Sequence, residues 1–113
     1  MKSISDERSY PRIGELVKRQ FLRLFSERII NQEEIMRLLT VEYSKKTFEL
    51  SLPVLRKVTD SQPLIPQLKI NGHSRYWKSI VELNGSKYVI CKEWREEKRK
   101  GFLAWLSKFG ISV

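Results

Sequence analysis

Apolar residues in the first third of the chain recur at the spacing of an α-helix. Six of them share one side when residues 11–28 are drawn as a helix, namely Ile13, Leu16, Val17, Phe21, Leu24 and Phe25. The opposite side carries Arg12, Lys18, Arg19 and Arg23. Pro11 suits the first turn, where a missing N–H costs no hydrogen bond. The pattern predicts an amphipathic helix over residues 11–28 with a basic outer side.

A second helix is predicted after Asn31. Asn31 is a favourable N-cap, and Glu34 stands three residues later, as in a capping box. The apolar positions that follow fade near Thr40 or Val41. We expect Glu33, Glu34 and Glu42 to be cap residues or solvated charges.

The next segment contains a turn, a cap and a proline. We expect a tight turn at residues 41–43 and a helical segment capped by Ser44. Pro53 cannot donate a hydrogen bond and disfavours a helical conformation at Leu52. We therefore expect either a kinked helix or a second short helix over residues 53–58, capped by Ser51. Residues 59–67, with two prolines, are predicted to form a surface loop.

The pattern changes from helical to strand-like after residue 67. Asn71–Gly72 and Asn84–Gly85 are typical of type I′ hairpin turns, which need positive φ at both central residues. The second turn predicts a hairpin of residues 75–83 and 86–91, and the first adds a short third strand at residues 67–70. A two-residue loop pairs Leu83 with Ser86, Glu82 with Lys87, Val81 with Tyr88, and Ile80 with Val89.

Aromatic and basic residues alternate at the start of this hairpin, in Arg75–Tyr76–Trp77–Lys78. Such a pattern on a strand can stack bases and contact phosphates. Assigning Trp77 to the face of Val81 and Leu83 leaves Tyr76 and Lys78 pointing outward.

A last helix is predicted over residues 93–109, with Gly110 as its stop. Its apolar face carries Trp94, Phe102, Trp105, Leu106 and Phe109. Gly101 in mid-helix indicates close packing against a neighbour. We expect Trp94 and Phe102 to be buried in the monomer. The end of the face, at Trp105, Leu106 or Phe109, either completes the core or forms a homodimer.

Few residues here could carry catalysis. The chain has one Cys, Cys91, and one His, His73, and a nucleophilic pair would need a third orienting group. No phosphate-binding Gly-rich loop or paired metal-ligand spacing is present. We expect neither an enzyme nor a bound metal or cofactor.

Composition and charge refine this picture. The chain has 113 residues, 41% of them hydrophobic, which fits a flexible N-terminus at residues 1–10 and one domain at residues 11–113. No apolar run approaches the ~20 residues that cross a bilayer. A lone cysteine cannot form an internal disulfide, so we expect a cytoplasmic protein.

The net charge is +9, with excess cations in residues 1–30, 61–91 and 92–113. Nucleic acid is the commonest polyanion for such a surface.

The order of predicted elements resembles that of winged helix-turn-helix DNA-binding domains. The resemblance rests on the capped helix at Asn31–Glu34, the turn at residues 41–43, the Ser44-capped segment and the hairpin that follows. It implies an α+β fold: a small helical bundle, a hairpin wing of two or three strands, and a C-terminal helix similar to the dimerisation helices of that family. Residues 44–57 would then be the recognition segment and residues 75–91 the wing.

These observations predict a non-enzymatic DNA-binding module, a regulator of transcription or replication that binds double-stranded DNA. Lys45, Lys46, Arg56 and Lys57 would lie nearest the major groove, with Arg75, Tyr76, Lys78 and Lys87 on the wing. The alternative is a protein-interaction domain that docks through its aromatic C-terminal helix.

Overall fold

The computed structural model describes residues 12–112, which form five helices and five strands. The helices are α1 (Ile13–Ser26), α2 (Gln32–Leu38), α3 (Val41–Phe48), α4 (Leu64–Gln67) and α5 (Arg99–Ser107), with a 3₁₀ turn at Glu96–Lys98 before α5. The strands are β1 (Leu55–Val58), β2 (Lys69–Ile70), β3 (His73–Ser74), β4 (Tyr76–Leu83) and β5 (Ser86–Cys91). The predicted α+β class is confirmed. The predicted flexible segment at residues 1–10, and Pro11, lie outside the described residues.

Helix α1 buries the apolar side that its sequence predicts. All six of its predicted apolar residues are buried. The first backbone N–H of the helix, at Ile13, donates to the Glu96 carboxylate at 2.9 Å. A residue 83 positions away in the sequence thus satisfies one of the free donors at the helix N-terminus.

Helix α2 has the predicted cap, but the helix after it begins earlier than expected. The Asn31 side chain accepts from the Glu34 N–H at 2.9 Å. Thr40 caps α3 by accepting from the Tyr43 N–H at 3.3 Å, so the turn predicted at residues 41–43 is wrong. Ser44 is not a cap. It is buried inside α3, and its hydroxyl donates to the Leu52 carbonyl at 2.5 Å.

The predicted helix over residues 53–58 is also wrong. Helix α3 ends at Phe48, and Glu49 has a left-handed φ of 60°. The chain then extends into β1, which pairs antiparallel with β5. Leu55 and Val58 are both buried in this pairing. Long-range pairing with β5 overrides the local helical preference that the sequence indicated.

The hairpin of β4 and β5 is confirmed in all four predicted pairs, from Leu83–Ser86 to Ile80–Val89. Asn84 and Gly85 have φ values of 53° and 80°, as a type I′ turn requires. The predicted third strand exists as β2, but it pairs with β3 in a separate two-stranded sheet. The main sheet has the order β1-β5-β4.

The main sheet is covered on its inner face and on part of its outer face. The inner face packs with α1, α2, α3 and α5 in the principal core. Part of the outer face lies beneath the segment 59–75, in a smaller cluster of Val58, Leu68, Tyr76, Val89 and Cys91. Trp77 packs against the principal core together with Val81 and Leu83, as predicted.

The aromatic C-terminal segment closes the core of its own chain. Trp94 and Phe102 are buried, as predicted. Trp105 and Leu106 are also buried, so of the two alternatives for the end of the face these residues complete the core. The segment starts its helix at Arg99 rather than at Glu93 and ends it at Ser107 rather than near Phe109. Gly110, with a φ of 75°, lies three residues beyond that end. None of the helices between residues 12 and 112 is long and apolar enough to span a membrane.

Candidate nucleic-acid interface

Two of the predicted binding residues lie side by side on α3. Lys45 and Lys46 occupy the last turn of that helix and are exposed. Within the described part of the chain, neither forms an ion pair. Both ammonium groups are therefore available to an anion from outside.

Arg56 and Lys57 are not on a helix with them. They are neighbours on β1, so their side chains point to opposite faces of the sheet. Arg56 donates to the Lys69 carbonyl at 3.0 Å, and its guanidinium lies 5.8 Å from the centroid of the Tyr76 ring. Lys57 is exposed and has no carboxylate partner among residues 12–112. A continuous recognition helix over residues 44–57 is absent from the described structure.

The predicted wing residues differ in their availability. Arg75 pairs with Glu93 at 3.3 Å. Lys87 pairs with Asp60 at 3.0 Å, and this hydrogen bond and the Asp60 charge raise the pKa of Lys87. Lys78 is exposed on β4 and forms no ion pair with any described residue.

Tyr76 is the one predicted contact that the structure removes. Its side chain is 2% exposed, and its hydroxyl donates to the Pro53 carbonyl at 2.8 Å. Burial, with a smaller contribution from the nearby Cys91, raises the pKa of Tyr76, and the positive charge of Arg56 only partly opposes this. The residue does lie on the sheet face opposite Trp77, as predicted, but that face is covered there. Tyr76 therefore cannot stack on a base.

A cleft that was not predicted lies at the N-terminal end of α1. It has a volume of about 470 Å³, and its lining includes Arg12, Lys18, Trp77, Trp94 and Arg95. The sequence contained two relevant features, the basic outer side of α1 and the aromatic–basic strand at residues 75–78. Nothing in the sequence placed those two features next to each other.

The thiol and the imidazole do not resemble a catalytic pair. Cys91 is buried, and desolvation raises its pKa to about 11, so it is a neutral thiol. His73 is exposed on β3. Across residues 12–112, no three His, Cys, Asp or Glu residues are grouped as ligands for a metal ion.

Comparison with known proteins adds no relative. The chain matches no model of a protein family, no curated protein and no solved structure. The interpretation of its surface therefore rests on its own residues.

Proposed function

We propose that this chain is a non-enzymatic nucleic-acid-binding module. The observation that supports the proposal is a set of exposed lysines without carboxylate partners in the described structure: Lys45, Lys46, Lys57 and Lys78. They belong to a chain with a net charge of +9. Exposed, unpaired cations bind phosphates and release the counterions condensed on the nucleic acid, which favours association.

Such contacts set affinity and register rather than base sequence. In the arrangement that the winged-helix resemblance implies, α3 and the β4–β5 hairpin would face double-stranded DNA. A module of this kind is most simply a regulator of transcription or replication in the cytoplasm. The buried free thiol of Cys91 is compatible with that reducing compartment.

A mobility-shift titration on a mixed-sequence DNA duplex at two salt concentrations tests the proposal. We expect binding at low salt that weakens steeply as salt rises. The variant Lys45→Gln/Lys46→Gln should reduce the slope of log affinity against log salt by about 2, since each phosphate contact contributes about 0.9. No retardation of the duplex at low salt would contradict the proposal.

A matched control separates a local contact from bulk charge. Lys92→Gln/Lys108→Gln removes the same charge from two exposed lysines outside the predicted set. We expect this control to change the salt slope by less than half as much as the α3 variant. Equal effects would mean that α3 is not the contact surface.

The structure gives no support to docking through the C-terminal helix. The apolar face of α5 contacts the principal core through Phe102, Trp105 and Leu106. A partner protein would have to displace that core to reach it. Nucleic-acid binding is therefore the single function proposed.

A further inference from the structure

The cleft at the N-terminal end of α1 has a rigid aromatic floor. Trp94 is 8% exposed, and its indole N–H donates to the Cys91 carbonyl at 2.9 Å. Its ring packs edge to face against Phe48 and Phe102, at a centroid distance of 5.4 Å in each case. These contacts fix the orientation of the Trp94 ring before any ligand arrives.

One wall of the cleft is the half-buried ring of Trp77. The Lys18 ammonium lies 5.8 Å from the centroid of that ring. Lys18 is itself half-buried, so its side chain, and not the apolar core, covers this face of the indole. Gly14 lies beside the same ring, and a Cβ there would be 3.6 Å from the Trp77 Cζ2 atom. The edge of the ring thus lies against the first turn of α1, and the Lys18 side chain lies over its face.

The charges around the cleft favour an anion. Arg12, Lys18 and Arg95 contribute three positive charges, and Glu15 and Glu96 oppose them. The negative charge of Glu96 is already balanced within the protein. Its carboxylate accepts hydrogen bonds from the Arg99 guanidinium at 2.9 and 3.1 Å and from the first N–H of α1. Among residues 12–112, three cations of the cleft therefore face one carboxylate without an ion-pair partner, that of Glu15.

We propose that this cleft binds one nucleobase of a single-stranded nucleic acid, stacked on Trp77, with flanking phosphates on Arg12 and Arg95. A volume of about 470 Å³ accommodates a single flat ring with its sugar. The flexible Lys18 side chain can leave the indole face and contact a phosphate. In a duplex, both faces of each base are stacked on neighbours, so only an unpaired base can enter. The inference rests on the proposed nucleic-acid binding and adds to it a separate site for a single strand.

Fluorescence titration with oligothymidylate tests this inference. Trp94 and Trp105 are buried, so stacking on the half-buried Trp77 should dominate any quenching of tryptophan emission. Affinities of the variants come from the anisotropy of a fluorescein-labelled oligothymidylate. Trp77→Leu should weaken its binding by about tenfold, the scale of one lost base–aromatic stack. Trp77→Phe should keep the affinity within about threefold, since an aromatic face remains.

Two controls make the result specific. The mixed-sequence duplex used above should bind Trp77→Leu and wild type equally. Lys18→Gln should weaken oligothymidylate binding by about threefold more than Lys108→Gln, which removes the same charge from an exposed lysine outside the cleft. Circular dichroism establishes that each variant is folded, and the comparison of Lys18→Gln with Lys108→Gln carries the test if Trp77→Leu is not.

The outcomes distinguish the two proposals. If oligothymidylate binds but does not quench emission, and Trp77→Leu binds it as well as wild type does, the cleft inference is wrong and nucleic-acid binding stands. The cleft inference is also wrong if Trp77→Leu and Lys18→Gln both bind oligothymidylate as tightly as wild type does. If the duplex binds and oligothymidylate does not, the cleft inference alone is wrong. If the duplex is not retarded at low salt, the proposed function itself is wrong, whether or not oligothymidylate binds.

Discussion

At the scale of single residues, a buried carboxylate joins three helices. Glu34 on α2 accepts from Arg37 at 2.7 Å, from the Tyr43 hydroxyl of α3 at 2.5 Å and from the Trp105 indole of α5 at 2.8 Å. The expectation that Glu34 is solvated is wrong, whereas Glu33 and Glu42 are exposed. A buried charge is tolerated when both of its oxygens accept hydrogen bonds, as here.

Glu34 should make stability depend on acid pH. Burial raises its pKa, but the hydrogen bonds from Tyr43, Trp105 and Arg37 outweigh burial and bring the pKa below 4.5. A carboxyl with a lowered folded pKa stabilises the protein above its unfolded pKa. That contribution is lost as pH falls through the folded pKa. Glu34→Gln should lower the free energy of unfolding near neutral pH by about 1–3 kcal/mol.

Urea unfolding of Glu34→Gln at several pH values measures both effects. Between about pH 5 and pH 3, its stability should fall less steeply than that of wild type. Glu33→Gln, on the exposed side of the same helix, is the control and should change neither quantity. Identical pH profiles for Glu34→Gln and wild type would show that the carboxylate does not couple to folding.

The turn at Asn84–Gly85 permits a second prediction at this scale. Gly85 has a φ of 80°, and a Cβ built on it meets nothing within 4 Å. Gly85→Val therefore costs backbone strain and no steric clash, on the order of 1–3 kcal/mol of stability. Asn84→Gly keeps the positive φ accessible and should stay within about 0.5 kcal/mol of wild type. Thermal melts measure both, and a Gly85→Val melt equal to wild type would show that no type I′ turn forms there.

At the scale of elements, the stability of the protein should respond differently to a methyl group added at two helical glycines. At Gly14 in α1, a Cβ would make an ordinary contact with Trp77, 3.6 Å away. At Gly101 in α5, it would lie 3.2 Å from the Thr47 carbonyl oxygen of α3, so the two helices would have to separate slightly.

Alanine in place of glycine stabilises a protein by about 0.4–1 kcal/mol where the native backbone conformation and the space around it accept a methyl group. We expect Gly14→Ala to gain that amount. Gly101→Ala should gain nothing or lose stability. Chemical denaturation of the two variants side by side checks this, and an equal gain in both would mean that α5 does not pack closely on α3.

At this scale, the sequence correctly predicted the features that depend on residues close together in the chain. The β4–β5 register follows from a two-residue loop, and the Asn31 cap involves residues three positions apart. Strand β1 was missed because its partner β5 lies some thirty residues further along the chain. Tyr76 was expected to be exposed because nothing local indicates that the segment 59–75 covers its face of the sheet.

In the candidate site too, local sequence predicted some features, and others depend on contacts between distant parts of the chain. The exposure of Lys45 and Lys46 follows from helical periodicity. The lost availability of Arg75 and Lys87 depends on Glu93 and Asp60, which come from other elements. The Trp77 cleft joins the start of α1, a strand and the segment before α5, and only the folded chain brings these together.

At the scale of the whole molecule, an aromatic cluster occupies the middle of the principal core. Trp105 stacks on Phe21 at 5.3 Å and meets Phe48 edge to face at 5.5 Å. Its indole also donates to Glu34. One side chain of α5 thus contacts α1, α2 and α3, which couples the C-terminal helix to the rest of the fold.

This arrangement predicts that the end of α5 cannot be made polar. Trp105 is 1% exposed, whereas Phe109 is half-buried and lies 4.9 Å from it. Losing a buried tryptophan costs about 3–5 kcal/mol, a large part of the 5–15 kcal/mol that stabilises a typical domain. We expect Trp105→Gln/Phe109→Gln to be unfolded or aggregated, and Phe109→Gln alone to remain folded. Circular dichroism with sedimentation velocity decides the matter. A soluble, folded monomer of the double variant would mean that this end of the helix is an interface between copies of the chain, because residues of the core could not be replaced without unfolding it.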